Sequence, residues 1–238
     1  MQIRVLLTAL PLVCCALATH GSSFITIQNA GFEGLTGADP IHFDGSGSLR
    51  DNHYSVQSGY PFEATGFASS TPIPGWQTSA SAGTYNAPLS LVPGGVPEGQ
   101  NVAWINVTGD IRQTLSDNFL GDTSYLLSVS IGSLQGYGFP GYQIGLFAGG
   151  TAVASLSSNS RVAPAGQFDT VSLSASVPSG SAFIGLPIEI RLGIPGSGID
   201  QVNFDQVQLV ATPVPESEWM AIGAGAALAA FAGFRRWR

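Results

Sequence analysis

Three histidines, His20, His42 and His53, are the only imidazoles available as general bases. Both cysteines, Cys14 and Cys15, lie within the first 18 residues, and the chain has no lysine, so the body of the protein offers no thiol or amine nucleophile. No serine occupies a G-x-S-x-G turn. Carboxylates remain. Residues 19–215 hold 13 Asp and Glu, and two carboxyls standing about 5–9 Å apart can work as a pair on a glycosidic bond. Spacing singles out no such pair. Gly136, Gly138 and Gly141 fit G-x-G-x-x-G formally, but Pro140 and the strand-like stretch Tyr142–Phe147 deny the helix a dinucleotide site requires. No His and Cys stand at zinc spacing.

The elements that must position these residues are strands. Leu127, Val129 and Ile131 alternate with serines, and Ile188, Ile190 and Leu192 alternate with Glu189 and Arg191. Each is the period of a half-buried strand. Further strands are predicted at 24–29, 102–107, 111–115, 142–147, 151–155, 170–176 and 202–210, separated by turns such as Pro93-Gly94-Gly95 and Gly149-Gly150. Nine short strands with no helical period between them predict an all-β, two-sheet antiparallel sandwich of jelly-roll type over residues 19–212. Trp76 and Trp104, within apolar stretches, are assigned to its core. Val202 and Phe204 share one strand parity while Val207 and Leu209 take the other, so a β-bulge is predicted near Asp205 or Gln206. Residues 34–70, with His42, His53 and several acids and aromatics, break the rhythm as a long excursion.

Charge narrows the partners. Across residues 19–215 the 13 acids face 4 arginines, a formal charge of −9 before histidines. Such a surface repels phosphate backbones, so no nucleic acid is expected as a partner.

The two ends are of a different kind. Met1–Arg4, the apolar run 5–18 and the small residues Ala16 and Ala18 predict a signal peptide over 1–18, cleaved before Thr19. At the other end, residues 219–234 are 16 uncharged residues, about 24 Å as a helix against a hydrocarbon core of about 30 Å. Seven alanines and three glycines make that run weakly apolar, which suits a transient membrane anchor. Arg235, Arg236 and Arg238 would hold its end on the cytoplasmic side.

Val214-Pro215-Glu216, the apolar run and the closing arginines resemble the PEP-CTERM sorting signal, at 213–238, of exported proteins from Gram-negative bacteria. Ser217 departs from that pattern, which usually has a second proline there. The resemblance implies an exosortase-type processing protease as partner, transient insertion in the inner membrane, and a final place in the cell envelope or extracellular matrix. In the body, Asn29–Glu33, Pro72–Trp76, Val96–Asn106 and Gln201–Leu209 follow the order of similar motifs in galactose-binding-like sandwich modules, many of which bind carbohydrate. That resemblance implies one structural Ca²⁺ held by Glu33 and Asp205.

Gln135, Tyr137, Phe139 and Tyr142, in one loop, are the candidate ligand platform, since exposed rings and amides stack on and hydrogen-bond sugars. With no catalytic template matched, the sequence reads as a non-catalytic envelope protein contacting exopolysaccharide. The alternative is a polysaccharide hydrolase with carboxylates in the 34–70 excursion.

Overall fold

The computed structural model describes residues 21–33, 73–87, 89–99, 101–195 and 200–214, with two short pieces at 42–43 and 49–50. The expected signal peptide, most of the 34–70 excursion and the sorting tail beyond Val214 lie outside these residues. The described chain contains eleven strands and no α-helix: β1 (Ser23–Ile25), β2 (His42–Phe43), β3 (Leu49–Arg50), β4 (Gln77–Asn86), β5 (Asn101–Asn118), β6 (Thr123–Gly132), β7 (Tyr142–Ala148), β8 (Thr151–Ser158), β9 (Phe168–Val177), β10 (Pro187–Gly193) and β11 (Gln201–Pro213).

Every pairing is antiparallel. The order is β8-β7-β10-β5-β11-β6-β9, with β1 beside β11 and β4 beside β5; β2 and β3 form a separate pair. Two layers arise because β5 serves both. Its first part, at Ala103–Asn106, pairs with β11, whereas Asp110–Asn118 pairs with β10. Between them stands Gly109 at φ 148°, and the partner strand β4 slips register between Ala80 and Ala82. The sequence reading had two strands where the molecule has one bent strand: Gly109-Asp110 bends the ladder without ending it. The reading also missed β4, whose stretch Gln77–Asn86 is built mainly of Ser, Ala, Gly and Thr and so gives no apolar alternation.

The alternating apolar residues meet between the layers. Tyr125, Leu127, Val129 and Ile131 of β6 pack with Val202 and Phe204 of β11, Ile144 and Leu146 of β7, and Ile188, Ile190 and Leu192 of β10. Each large aliphatic side chain so buried contributes about 1.5–3 kcal/mol. Trp76 joins this core, its ring 5.3 Å from Phe32 and its Nε1 donating to the Asn29 carbonyl at 3.1 Å. A smaller cluster of Ala87, Leu91, Val92, Val102, Trp104 and Leu134 lies apart from it. Trp104 is buried as expected, but here rather than in the main core.

Candidate functional site: a buried polar face and an acidic cluster

Pairing registers place Trp104 opposite Asn203, Asn203 opposite Gly132, and Gly132 opposite Phe168, so one row crosses β5, β11, β6 and β9 on a single face. The neighbouring row holds Asp205, Ser130 and Thr170. This face is polar yet covered: Gln201, Asn203, Asp205 and Ser130 are all buried. Gln201 donates through Nε2 to Asn203 Oδ1 at 2.8 Å. A Cβ on Gly132 would stand 2.7 Å from the Phe168 ring, so only the bare backbone lets that ring lie across the sheet.

The cover is the 87–97 segment. It is tied down by the Gln135 N–H donating to the Leu91 carbonyl, and beside it the Gly166 N–H donates to the Ser133 carbonyl, each at 2.8 Å. Between this cover and the sheet opens a cavity of about 320 Å³, lined by Gly94–Pro97, Ser130, Gln167, Phe168 and Gln206 among others. Ser130 Oγ donates to Gln206 Oε1 at 3.3 Å. That bond commits the Gln206 carbonyl and leaves its amide nitrogen as the end able to donate. One ring, two hydroxyls, the amides of Gln167 and Gln206 and the Asp169 carboxyl around a cavity of this size can hold a small molecule that stacks on the ring and hydrogen-bonds through its polar atoms.

At the margin of the same face, acids gather. The predicted bulge is present: register breaks between Asp205 and Gln208, and Gln206 takes φ 50°. It turns Asp205 into the interior, fully buried, where its two oxygens accept the N–H groups of Glu98 (3.0 Å) and Gln206 (2.7 Å). Burial pushes the Asp205 carboxyl up from 3.8 to about 7, the two N–H donors oppose the rise, and the charges of Glu98 and Glu33 add to it. Glu33 accepts from Asn101 N–H at 2.6 Å and Asn101 Nδ2 at 3.0 Å. Asn101 Oδ1 is buried with no hydrogen-bond partner. Glycine makes the crowding possible, since a Cβ on Gly99 would sit 2.4 Å from the Glu33 carboxyl carbon and one on Gly31 2.8 Å from that of Glu98.

Carboxylates beside an unmatched amide oxygen are the hard donors that calcium takes, so the chemistry fits the expected ion. The geometry is less complete. Among the described residues no group of three or more His, Cys, Asp or Glu is gathered to hold a metal, and the Glu33 and Asp205 oxygens are engaged by N–H donors.

The predicted platform does not come together as an exposed surface. Tyr142 is buried in the main core and Phe139 packs against it, with the Arg161 guanidinium 5.9 Å above the Phe139 ring. Gln135 and Tyr137 stay exposed, and Arg161 donates to the Tyr137 carbonyl. Of the sorting motif only Val214 is described. It is exposed, its N–H donating to the Asp122 carbonyl at 2.6 Å; Pro215, Glu216 and the three arginines lie outside the described residues. Sequence reasoning missed Glu98, Asn101, Gln201, Asn203 and Phe168. A parity count along β11 could have found Asn203 and Gln201 on one face, but nothing local marks Glu98.

Residues 23–210 match the HpiC1-like family, described as HpiC1 cyclase. The chain belongs to the HpiC1-like cyclase family. Solved structures agree. An apo cyclase from Fischerella sp. is 26% identical with TM-score 0.62 over 82% of this chain and 98% of its own. A cyclase from Fischerella sp. TAU in complex with 4-(1H-indol-3-yl)butan-2-one is 26% identical, with TM-score 0.61 over 81% and 99%. The Stig cyclase Fisc from Fischerella sp. TAU, in complex with (3Z)-3-(1-methyl-2-pyrrolidinylidene)-3H-indole, shares 24% identity and TM-score 0.62 over 82% and 100%, a likeness of fold. No curated protein matches the chain.

Family membership overturns two expectations. The chain is not read as a non-catalytic protein, since the cyclase family indicates an enzyme, and the exopolysaccharide-contacting function goes with it. The physical reason for the error is that residues such as Ser130, Gln167, Phe168 and Gln206, which line the cavity, match no catalytic template in the sequence. Of the body resemblance, the β-sandwich stands, and its carbohydrate-binding implication does not.

Proposed function

We propose that this chain is a cyclase that closes a ring within a small, largely apolar substrate bearing an indole-type nucleus, seated in the cavity between segment 94–97 and Phe168. What supports the reading, beyond the family, is that this cavity is walled by the Phe168 ring together with the Ser130 hydroxyl and the Gln206 amide. Its volume of about 320 Å³ lies at the lower end of the range for small-molecule sites. Indole-type compounds are the ligands of the two Fischerella complexes.

A ring closure of this kind makes a carbon–carbon bond at the expense of a π bond and releases nothing, so substrate and product have equal mass. The protein's part is to fold the substrate so that the two carbons touch, and to keep water away from the charge that develops. Phe168, held flat over Gly132, offers a stacking surface, and the Ser130–Gln206 pair offers a polar handle for a substrate heteroatom.

Titrating the protein with 4-(1H-indol-3-yl)butan-2-one in a calorimeter, with Phe168→Ala and Gln206→Ala alongside, tests occupancy. Chromatography with mass detection on indole-bearing alkenes tests turnover by seeking a product of unchanged mass. Binding weakened by both substitutions and an isobaric product support the reading; no binding and no new product overturn it.

Calcium at Glu33 and Asp205, with Glu98 and Asn101 Oδ1 beside them, forms part of the proposal. It is supported by the clustered charge and the unmatched oxygen. The ion's part would be structural, tying β11 to segments 31–33 and 98–101. Export and exosortase-type sorting through residues 213–238 are likewise proposed, supported by the sequence pattern of the two ends.

A further inference from the structure

At one end of the sandwich four large apolar side chains stand in solvent: Leu120 is 60% exposed, Val214 46%, Ile184 40% and Leu186 38%. They form one patch. The Phe119 N–H donates to the Leu186 carbonyl and the Gly185 N–H to the Phe119 carbonyl, both at 2.9 Å. A Cβ on Gly121 would touch Ile184 Cδ1 at 3.1 Å. Asp122 joins the rest, its carbonyl accepting the Val214 N–H at 2.6 Å and its Oδ1 the Ser179 N–H at 2.9 Å. Side chains of this size, grouped and exposed, mark a surface that meets something apolar.

The chain itself indicates the partner. Val214 is where the body ends, and the apolar run 219–234 begins five Cα steps later, a reach of at most about 18 Å. Once that run lies in a bilayer, the tether holds this end within a few side-chain lengths of the lipid, whereas the loops at 133–141 and 159–166 are at the other end of the strands. The patch itself has no basic residue to seek anionic headgroups, and the body is strongly acidic, so the attraction is apolar and suits a zwitterionic surface.

We propose that Leu120, Ile184, Leu186 and Val214 form a lipid-docking face that seats this end of the body on the membrane surface while the tail is inserted. The inference rests on the tail acting as a membrane segment.

The test uses the full chain carrying Cys14→Ser and Cys15→Ser, reconstituted in phosphatidylcholine nanodiscs with a fluorophore on one introduced cysteine. Ser179→Cys reports the patch, Ser160→Cys the opposite end and Ala226→Cys the tail, each read by quenching from brominated lipid. Docking predicts quenching at 226 and 179 and none at 160, with loss at 179 alone when Leu120, Ile184 and Leu186 are changed together to Ser. These are exposed positions, so the fold tolerates the change. Quenching at 226 without 179, or quenching at 179 that survives the triple change, overturns the docking face and leaves the tail reading intact. No quenching at 226 overturns the tail reading and the docking with it.

Discussion

Asp205 is a carboxyl whose folded environment opposes its charge, and removing that charge tests the account of the acidic cluster. With its pKa lifted from 3.8 to about 7 by burial and by the charges of Glu98 and Glu33, the folded protein holds a proton there that the unfolded chain has released. Stability from this group is therefore complete below about pH 4 and is lost as pH rises toward 7. The whole interval corresponds to about 4 kcal/mol, and the part between pH 5 and pH 8 to about 3 kcal/mol. Asp205→Asn removes the titration at a fixed cost. Its single carbonyl oxygen replaces two acceptors, leaving one of the Glu98 and Gln206 N–H groups unmet, about 1–3 kcal/mol at every pH. Urea unfolding followed by tryptophan fluorescence in EDTA, at pH 5 and pH 8, should show the unmutated protein losing about 3 kcal/mol between the two and the variant far less. The variant is thus at its worst relative to wild type at pH 5 and recovers at pH 8. Calcium at 100 times its dissociation constant should return about 2.7 kcal/mol to the wild type at pH 8 and much less to the variant. A wild-type stability in EDTA that does not fall between pH 5 and pH 8, or a variant with the same slope, refutes the reasoning about the buried charge. Equal stability with and without calcium refutes the ion.

Gly132→Ala forces a Cβ against the Phe168 ring and should cost about 1–3 kcal/mol in urea unfolding while altering indolyl-ketone affinity; an unchanged calorimetric titration would show that the ring's position is irrelevant to the cavity. Tyr125→Phe keeps the edge-on contact with Phe119 at 5.1 Å but deletes the acceptor of the Leu120 N–H, so differential scanning calorimetry should register a loss of about 1–2 kcal/mol. Intact mass spectrometry of the envelope form should find the chain ending near Ser217–Trp219, and a mature species still ending in Arg238 would rule out exosortase-type processing.

Much of the scaffold was legible because a strand with one wet face writes its period into the sequence: Leu127, Val129 and Ile131, or Ile188, Ile190 and Leu192, allow one reading. The bulge at Asp205 was legible for the same reason, through the parity change between Phe204 and Val207. β4 was not, since its small residues are held by the main-chain ladder with β5 and carry no pattern of their own. Within the acidic cluster Glu33 and Asp205 were found, while Glu98 arrives through a turn whose path depends on the fold. The polar face was illegible for a deeper reason. Trp104, Asn203, Gly132 and Phe168 are separated by up to 99 positions in the chain and become neighbours only through register, and none has a side chain that declares a reaction.

The two-layer service of β5 also governs when the molecule can exist at all. Residues 101–118 pair along one edge with the preceding strand at 77–86, but the other edge finds its partners only at 187–193 and 201–204, so the strand that joins the layers stays half-paired until the last quarter of the chain is present. Contacts between segments so far apart form slowly and late. A polypeptide wired in this way can pair β4 with β5, β6 with β9 and β7 with β8 beforehand, but it joins its two layers only when its last strands arrive. The two layers therefore become one body only after nearly the whole chain is available.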